Sequence, residues 1–166
     1  MAAQTLPAPT KSGYVKAGGV NYYYEIRGQG EPLLLLHGGL GNTAVFAPGI
    51  PEFAKSRQVI AVDLYGHGRT ALTDRPMNYM DVGNDLATII KQLGFSQVDV
   101  VGYSMGGGIA FRLAAQHPQL VRRLVLVSAG FAQEGFYPEM LPQQAAVSGK
   151  IADQMKGTPI YDSYMA

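Results

Sequence analysis

The chain of 166 residues contains no cysteine and no tryptophan. Without a thiol it can form no disulfide, no thiolate nucleophile and no zinc–thiolate site. Charge is also scarce, since 15% of the residues are charged and the formal net charge is +1. This balance argues against a broad basic surface for nucleic acid or anionic lipid. No apolar run approaches the roughly 20 residues of a membrane helix. We therefore expect a globular protein with no nucleic-acid and no membrane partner.

The N-terminal stretch "MAAQTLPAPTKSG" has neither a charged segment nor an apolar core, so it does not resemble a signal peptide. Its Ala, Pro and Thr content predicts a flexible leader over residues 1–12. Such a leader often follows a cleaved signal. The compartment is therefore cytoplasmic by default, and periplasmic or secreted if the leader is a post-signal start.

Residues 13–130 show an alternation of apolar strands and amphipathic helices. A hairpin is predicted at 13–16 and 20–27, followed by buried strands in "EPLLLLHGG", "RQVIAVDLYGHG", "VDVVGYS" and "RRLVLVSAG". Apolar spacing predicts helices at 81–93 and 105–116, and a poor helix at 42–56 that prolines interrupt. The pattern predicts an α/β fold with a mixed, mostly parallel sheet that is covered on both faces.

The stretch "VGYSMGGG" places Ser104 in a G-x-S-x-G pattern between a predicted strand and a predicted helix. Three glycines that open a helix each cost about 1 kcal/mol relative to alanine, so helix stability did not select them. Close approach of the helix to the sheet explains them, as does access to a nucleophile at the tip of a strained turn. The alternative is an ordinary strand–helix turn with a capping serine.

A second pattern in the same region suggests a different ligand. Gly39, Gly41 and Ala44 satisfy G-x-G-x-x-A after an apolar strand, and Asp63 follows about 20 residues later. Together they resemble a dinucleotide-binding fingerprint. Against this hypothesis, His37 stands between strand and fingerprint, prolines break the following helix, and the serine turn stays unexplained.

Four segments taken together carry a family resemblance: "LLLLHGGLG", "VIAVDLYGHGRT", "VDVVGYSMGG" and "AAQHPQLVRRLVLVSA". Their order and spacing resemble the N-terminal part of an α/β-hydrolase, from residue 13 to 130. The resemblance implies a sheet of that type, truncated after its sixth strand and the start of a cap. It implies Ser104 as the nucleophile, with an oxyanion hole formed by the N–H groups of Met105 and Gly39, or possibly Leu40 in place of Gly39.

The same resemblance gives the three histidines supporting roles. His37, followed by Gly38, opens the oxyanion loop and is expected to brace it. His67 lies in a glycine-rich turn, and His117 ends the predicted helix far from Ser104. None of the three is therefore expected to be the general base.

Asp63 ends a predicted strand and is expected to support the following turn through backbone N–H groups. In similar proteins this turn usually closes with serine. This chain has Thr70 there, which we interpret as a minor departure.

Residues 131–166 have scattered aromatics and weak periodicity, and they are predicted to begin a cap or lid. The candidate pocket residues are Phe131, Phe136, Tyr137 and Met140. If these side chains line a pocket, they favour a small, uncharged acyl or aryl substrate. They could equally well pack on the sheet.

In proteins similar to this one the catalytic acid and histidine follow later strands, and no histidine follows His117 here. We therefore expect the acid and histidine from a C-terminal part outside this chain, supplied as a separate fragment. Alternatively, the chain is an inactive truncated fragment or a binding protein, which pairs through the open edge of its last strand with a second copy or a partner.

A serine at the elbow points away from the dehalogenase and epoxide-hydrolase branches, which the resemblance associates with aspartate. The predicted activity is that of a carboxylesterase for small uncharged esters, through an acyl-enzyme on Ser104. The pattern also fits a lactonase, a C–C bond hydrolase or a cofactor-free perhydrolase. The resemblance implies no metal and no organic cofactor.

Overall fold

The computed structural model describes residues 6–130, 156–159 and 162. The chain divides into two units, Met1–Ala129 and Gly130–Ala166. The elements named below all belong to the first unit. Among the described residues, no helix combines the length and the apolar character needed to cross a membrane.

The first unit contains six strands and three α-helices in the described residues. The strands are β1 (Lys11–Ala17), β2 (Val20–Arg27), β3 (Glu31–Leu36), β4 (Arg57–Val62), β5 (Val98–Tyr103) and β6 (Val121–Val127). The helices are α1 (Ile50–Phe53), α2 (Tyr79–Gln92) and α3 (Met105–Gln116), with 3-10 turns at Thr43–Phe46 and Pro118–Leu120.

The six strands form one sheet in the order β1-β2-β4-β3-β5-β6. β1 with β2 and β2 with β4 are antiparallel pairs, whereas β4, β3, β5 and β6 run parallel. This confirms the predicted mixed, mostly parallel sheet. In parallel register Leu36 lies opposite Gly102, so the segments after β3 and β5 leave the sheet at the same edge. That edge is where ligands bind in open α/β sheets.

Side chains alternate across the strands, and each face of the sheet has its own apolar cluster. Leu34, Leu36 and Val100 lie in the larger cluster, which α2 and α3 cover. Leu33 and Leu35 lie in a smaller cluster beneath α1. The central parallel strands are therefore apolar on both faces, as their unbroken apolar runs predicted.

The structure differs from the predicted boundary between leader and core. β1 begins at Lys11 rather than at residue 13, because Lys11 and Ser12 pair with Ile26 and Glu25 of β2. Immediately before it, the backbone N–H of Thr10 donates to the carbonyl of Ile26 at 2.8 Å. The last part of the predicted leader is thus hydrogen-bonded to the sheet.

The segment 42–56 forms less helix than predicted. A 3-10 turn, Thr43–Phe46, is followed only by the single turn of α1. Pro48 and Pro51 have no N–H to donate, so a continuous helix cannot propagate through them. The turn starts at Asn42, whose side chain accepts a hydrogen bond from the N–H of Ala44 at 2.9 Å.

Candidate active site

Ser104 lies between β5 and α3 with backbone angles that few residues other than glycine adopt. Its φ is 50° and its ψ is −116°, and its side chain is exposed. Such angles cost on the order of 1–3 kcal/mol and persist only where the surroundings impose them. Here the N–H of Ser104 donates to the carbonyl of Val127 at 2.9 Å, which fixes the turn to the neighbouring strand.

The glycines around Ser104 let α3 approach the sheet. A Cβ atom on Gly106 would collide with the carbonyl oxygens of Leu36 and His37. A Cβ atom on Gly102 would lie 2.7 Å from the Cα of Gly107. Any side chain at these positions would push α3 away from the sheet, and Ser104 with it. The sequence prediction of close helix approach therefore has a direct structural basis.

The loop after β3 lies against the serine turn. A Cβ atom on Gly38 would be 3.3 Å from the Cβ of Ser104, and one on Gly39 would be 4.0 Å from the Sδ of Met105. The next residue, Leu40, has a φ of 57° and an exposed side chain. The N–H of Met105 is the first of α3, where helix N–H groups have no acceptor within the helix and favour negative charge.

His37 is fully buried, and hydrogen bonds engage both of its ring nitrogens. Its Nε2 accepts from the N–H of Leu64 at 2.9 Å, so the proton is on Nδ1, which lies 2.7 Å from the carbonyl oxygen of Gly38. Burial lowers the pKa of His37 to about 4, although the hydrogen bond to Gly38 opposes this shift. His37 is therefore neutral at pH 7 and has no nitrogen available to take a proton from Ser104.

The other two histidines lie in different surroundings. The Nδ1 of His67 is 2.9 Å from the carbonyl oxygen of Tyr65, and its ring centroid is 5.4 Å from that of His37. His117 follows the last residue of α3, and its Nε2 lies 2.8 Å from the Oδ1 of Asn84. The 12 residues of α3 separate His117 from Ser104 by about 18 Å, so His117 cannot reach the serine.

Asp63 connects the turn after β4 to the end of the oxyanion loop. Its Oδ1 accepts from the N–H of Thr43 at 2.6 Å, and its Oδ2 accepts from the N–H of Arg69 at 2.9 Å. Thr70, which is also buried, donates to the carbonyl of Asp63 at 2.7 Å and accepts from the N–H of Tyr23 at 2.9 Å. Sequence reasoning missed this bridging role of Thr70, which a serine hydroxyl could also fill.

The dinucleotide hypothesis gains no support from this geometry. Both carboxylate oxygens of Asp63 accept backbone N–H groups, so neither is directed to a ribose hydroxyl. The segment after Gly41 forms a 3-10 turn instead of the long helix whose N-terminus would hold a pyrophosphate. Within the described ranges, no three His, Asp or Glu side chains are grouped in a way that could hold a metal ion.

Two further results concern the predicted site residues. The candidate pocket residues Phe131, Phe136, Tyr137 and Met140 lie outside the described residues, so their role stays a prediction. Tyr103 was not predicted, yet its ring would lie 3.0 Å from a Cβ on Gly38. A large aromatic residue directly before the serine was the available signal.

Comparison with known proteins agrees with this fold and site. A family model described as the alpha/beta hydrolase fold matches residues 31–158, which is most of the chain. The chain therefore belongs to the α/β-hydrolase family.

Among its relatives is the 2-hydroxymuconate semialdehyde hydrolase of Pseudomonas sp. strain CF600. The two are 42% identical over 119 residues, which cover 69% of this chain and 42% of the relative. The soluble epoxide hydrolase of Corynebacterium sp. strain C12 is 34% identical over 112 residues, or 66% of this chain and 38% of the relative.

Among solved structures, Est816, described as an N-acyl homoserine lactone degrading enzyme, is similar with a TM-score of 0.73 and 30% identity. The match covers 85% of this chain and 54% of that one. The chain thus spans about half, or less, of the length of these relatives, which are hydrolases.

Proposed function

We propose that this chain carries the nucleophile and oxyanion hole of a serine hydrolase that cleaves small, uncharged carboxylic esters. The observation that supports the proposal best is the strained turn at Ser104. An exposed serine with a φ of 50° stands at the start of α3, directly beside the loop after β3. Strain of this kind is retained at reactive residues because the surrounding structure imposes it.

In the proposed reaction the Oγ of Ser104 attacks the acyl carbon and forms a tetrahedral intermediate. The N–H groups of Met105 and Gly39, or Leu40 in place of Gly39, would stabilise the oxyanion. These donors are fixed in the fold before charge develops, so they need little reorganisation during the reaction. Collapse of the intermediate expels the alcohol and leaves an acyl-enzyme, which water then hydrolyses to the acid.

The proton of Ser104 needs a base, and we propose that a histidine outside these 166 residues supplies it, oriented by an acid that is also outside. His37 is neutral with both nitrogens engaged, and His117 is too distant. We further propose that a C-terminal fragment, or else a second copy, pairs with β6, whose outer edge has no strand partner among the described residues. Without such a base, the oxyanion hole alone would leave only weak activity.

A C–C bond hydrolase is the second candidate, because the chain is 42% identical to a 2-hydroxymuconate semialdehyde hydrolase. Lactone cleavage is a third, given the similarity to Est816. All three reactions place an oxyanion at the same donors. Hydrolysis rates on p-nitrophenyl acetate, 2-hydroxymuconate semialdehyde and an N-acyl homoserine lactone would distinguish among them.

Intact-mass spectrometry before and after treatment with a fluorophosphonate tests the proposal. We expect an adduct on the 166-residue chain whenever a second species of about 10–15 kDa is present, and no adduct on Ser104→Ala. A preparation that contains both species and forms no adduct would overturn the assignment of Ser104 as nucleophile. A chain without the second species should react at least 100-fold more slowly, because it lacks the base.

A further inference from the structure

One face of the sheet is largely uncovered over β5 and β6. Val101 and Tyr103 of β5 stand opposite Val125 and Val127 of β6, on the face away from α2 and α3. Val125 is 51% exposed, Val127 41% and Tyr103 43%. Among the described residues, α1 covers only the neighbouring part of this face, and its Phe53 is itself 41% exposed. The result is a continuous apolar stripe, which we call the open face.

The open face contains a cleft of about 240 Å³. Leu33, Phe53, Val101 and Val125 form its apolar walls. The cleft therefore has the lining of a site for an apolar side chain rather than for a polar ligand. One end of it is charged.

The charged end is built around Asp99, which is almost fully buried. Arg122 donates to Asp99 from its Nε at 2.8 Å and from its Nη2 at 2.9 Å, and Arg57 donates at 2.5 Å. The hydrogen bonds from Arg122, followed by those from Arg57, lower the pKa of Asp99 to about 2, although burial opposes the shift. Asp99 is therefore ionised at neutral pH and already holds two guanidinium groups.

Arg123 is the third arginine at this end, and it is the least engaged. Its Nη1 is 3.7 Å from Asp99, beyond hydrogen-bonding distance, and its side chain is 73% exposed. Glu31 pairs with Arg122 instead. The five groups have three positive and two negative charges, so the end of the cleft has a net charge of +1. Arg123 carries the positive charge that these pairs leave available.

We propose that the open face binds an amphipathic helix with an apolar stripe along β5 and β6 and a carboxylate on Arg123. The stripe from Arg123 to Val127 is about 13 Å long at the rise of a strand, which matches about nine helical residues. Helices are the elements that cover the faces of parallel sheets. A second copy fits less well, since the only carboxylate on its own open face is Asp99, which the arginines already hold. The proposal does not depend on the chemistry of Ser104.

Binding of synthetic helical peptides, followed by fluorescence anisotropy, tests this proposal. Two labelled, alanine-based 16-residue peptides carry leucines at helical spacing and two glutamates, placed in the first turn of one and in the last turn of the other. A third has glutamines instead. We expect one glutamate peptide to bind the protein at least tenfold more tightly than the glutamine peptide. Equal binding of all three would overturn the carboxylate contact.

Variants of the protein locate the binding surface. Arg123→Glu should abolish the preference for glutamate, and a peptide with lysines at those positions should recover binding to it. Val125→Asp should weaken all peptides at least tenfold. Lys91→Glu makes the same charge change as Arg123→Glu, but on α2 at the opposite face, and should leave binding unchanged. Peptide binding that survives Val125→Asp would overturn the site.

Sedimentation of the protein without peptide tests the alternative occupant. We expect a mass that does not change with concentration through this face. A concentration-dependent dimer that Val125→Asp disrupts would overturn the proposal and assign the open face to a second copy. Circular dichroism of each variant establishes that it folds, which we expect because Arg123 and Val125 are both exposed.

Discussion

The Nε2 of His37 accepts a hydrogen bond from the backbone N–H of Leu64 at 2.9 Å, across the ends of two adjacent parallel strands. His37 follows β3 and Leu64 lies two residues beyond β4. The Nδ1 of the same ring lies 2.7 Å from the carbonyl of Gly38, in the loop beside Ser104. One buried imidazole therefore holds the oxyanion loop to the turn after the neighbouring strand. Its protonation would break the bond to Leu64, because imidazolium has no acceptor nitrogen.

We predict that the neutral state of His37 makes the protein less stable in mild acid. The pKa of His37 is about 4 in the folded protein, against 6.5 for an unperturbed histidine. The unfolded chain therefore binds this proton more readily, so the contribution is complete above pH 6.5 and is lost as the pH falls toward 4. The loss in the free energy of unfolding is at most about 3 kcal/mol. Urea unfolding at intervals between pH 7.5 and 4 measures it.

His37→Gln removes the titrating group, so the stability difference between this variant and the original protein should shrink across the same pH range. His117→Gln serves as the matched control, because His117 is a partly exposed histidine outside the loop, and it should keep the original pH profile. A constant difference for His37→Gln would contradict the prediction. Asp99, with a pKa of about 2 against 3.8, loses its contribution only below that range.

We predict that Thr70→Val destabilises the protein by about 1–3 kcal/mol, whereas Thr70→Ser costs less than about 1 kcal/mol. The valine would leave the carbonyl of Asp63 and the N–H of Tyr23 without their hydroxyl partner in a buried place. Serine keeps both hydrogen bonds and loses only a methyl group. Chemical denaturation of the three proteins makes the comparison, and equal stability of the valine and serine variants would refute the bridging role.

Substitutions in the first turn of α3 should differ in effect according to what the new methyl group meets. Gly106→Ala places it against the backbone carbonyls of Leu36 and His37, which cannot move independently of β3. We expect a loss of about 2–3 kcal/mol or more. Gly108→Ala meets the ring of Tyr79 at 3.0 Å, a side chain that is 40% exposed and can shift. Here the gain in helix propensity of about 1 kcal/mol should balance or exceed the cost. Thermal unfolding that ranks the two variants in the opposite order would contradict this prediction.

A buried ion pair joins β2, α2 and the loop before α2. Asp85 accepts from the hydroxyl of Tyr22 at 2.7 Å and from Arg75 at 2.6 Å. Burial and the hydrogen bond to Asp85 raise the pKa of Tyr22, so its hydroxyl stays a donor. We predict that Asp85→Ala lowers the free energy of unfolding by about 3–5 kcal/mol, because Arg75 loses its partner. Tyr22→Phe should cost about 1–2 kcal/mol.

The two single variants and the double variant form a cycle that measures the coupling between Tyr22 and Asp85. We expect a coupling energy of at least about 0.5 kcal/mol, since the residues are in direct contact. Strictly additive effects would show that the hydroxyl contributes through packing alone.

Much of the fold could be predicted from local pattern. The apolar runs of β3, β4 and β5 indicated strands buried on both faces, and α3 was predicted with the same bounds that the structure has. The prolines correctly indicated that 42–56 would be a poor helix, although not how little helix would remain. The start of β1 was missed because Lys11 and Ser12 are extended only through pairing with β2, which local residue preferences do not encode.

Within the candidate site, the sequence identified Ser104 and its glycines, because a reactive turn requires small residues at fixed spacing in the chain. It could not show which residues meet across the fold. The contact of Leu64 with His37, and that of Thr70 with Tyr23, join residues 27 and 47 positions apart. The roles of Met105, Gly39, Leu40, Gly38 and Asp63 in catalysis stay predictions that the labelling experiments address.

The sequence by itself determined the order of strands and helices and the place of the serine turn, because periodicity and glycine spacing are local properties of the chain. Only the tertiary structure decided that His37 is a neutral, doubly bonded brace and that Thr70 links two strands. It also decided that a stripe of exposed valines ends at Arg123. These properties depend on burial and on which distant backbone groups come within about 3 Å, and the packing of the whole sheet sets both.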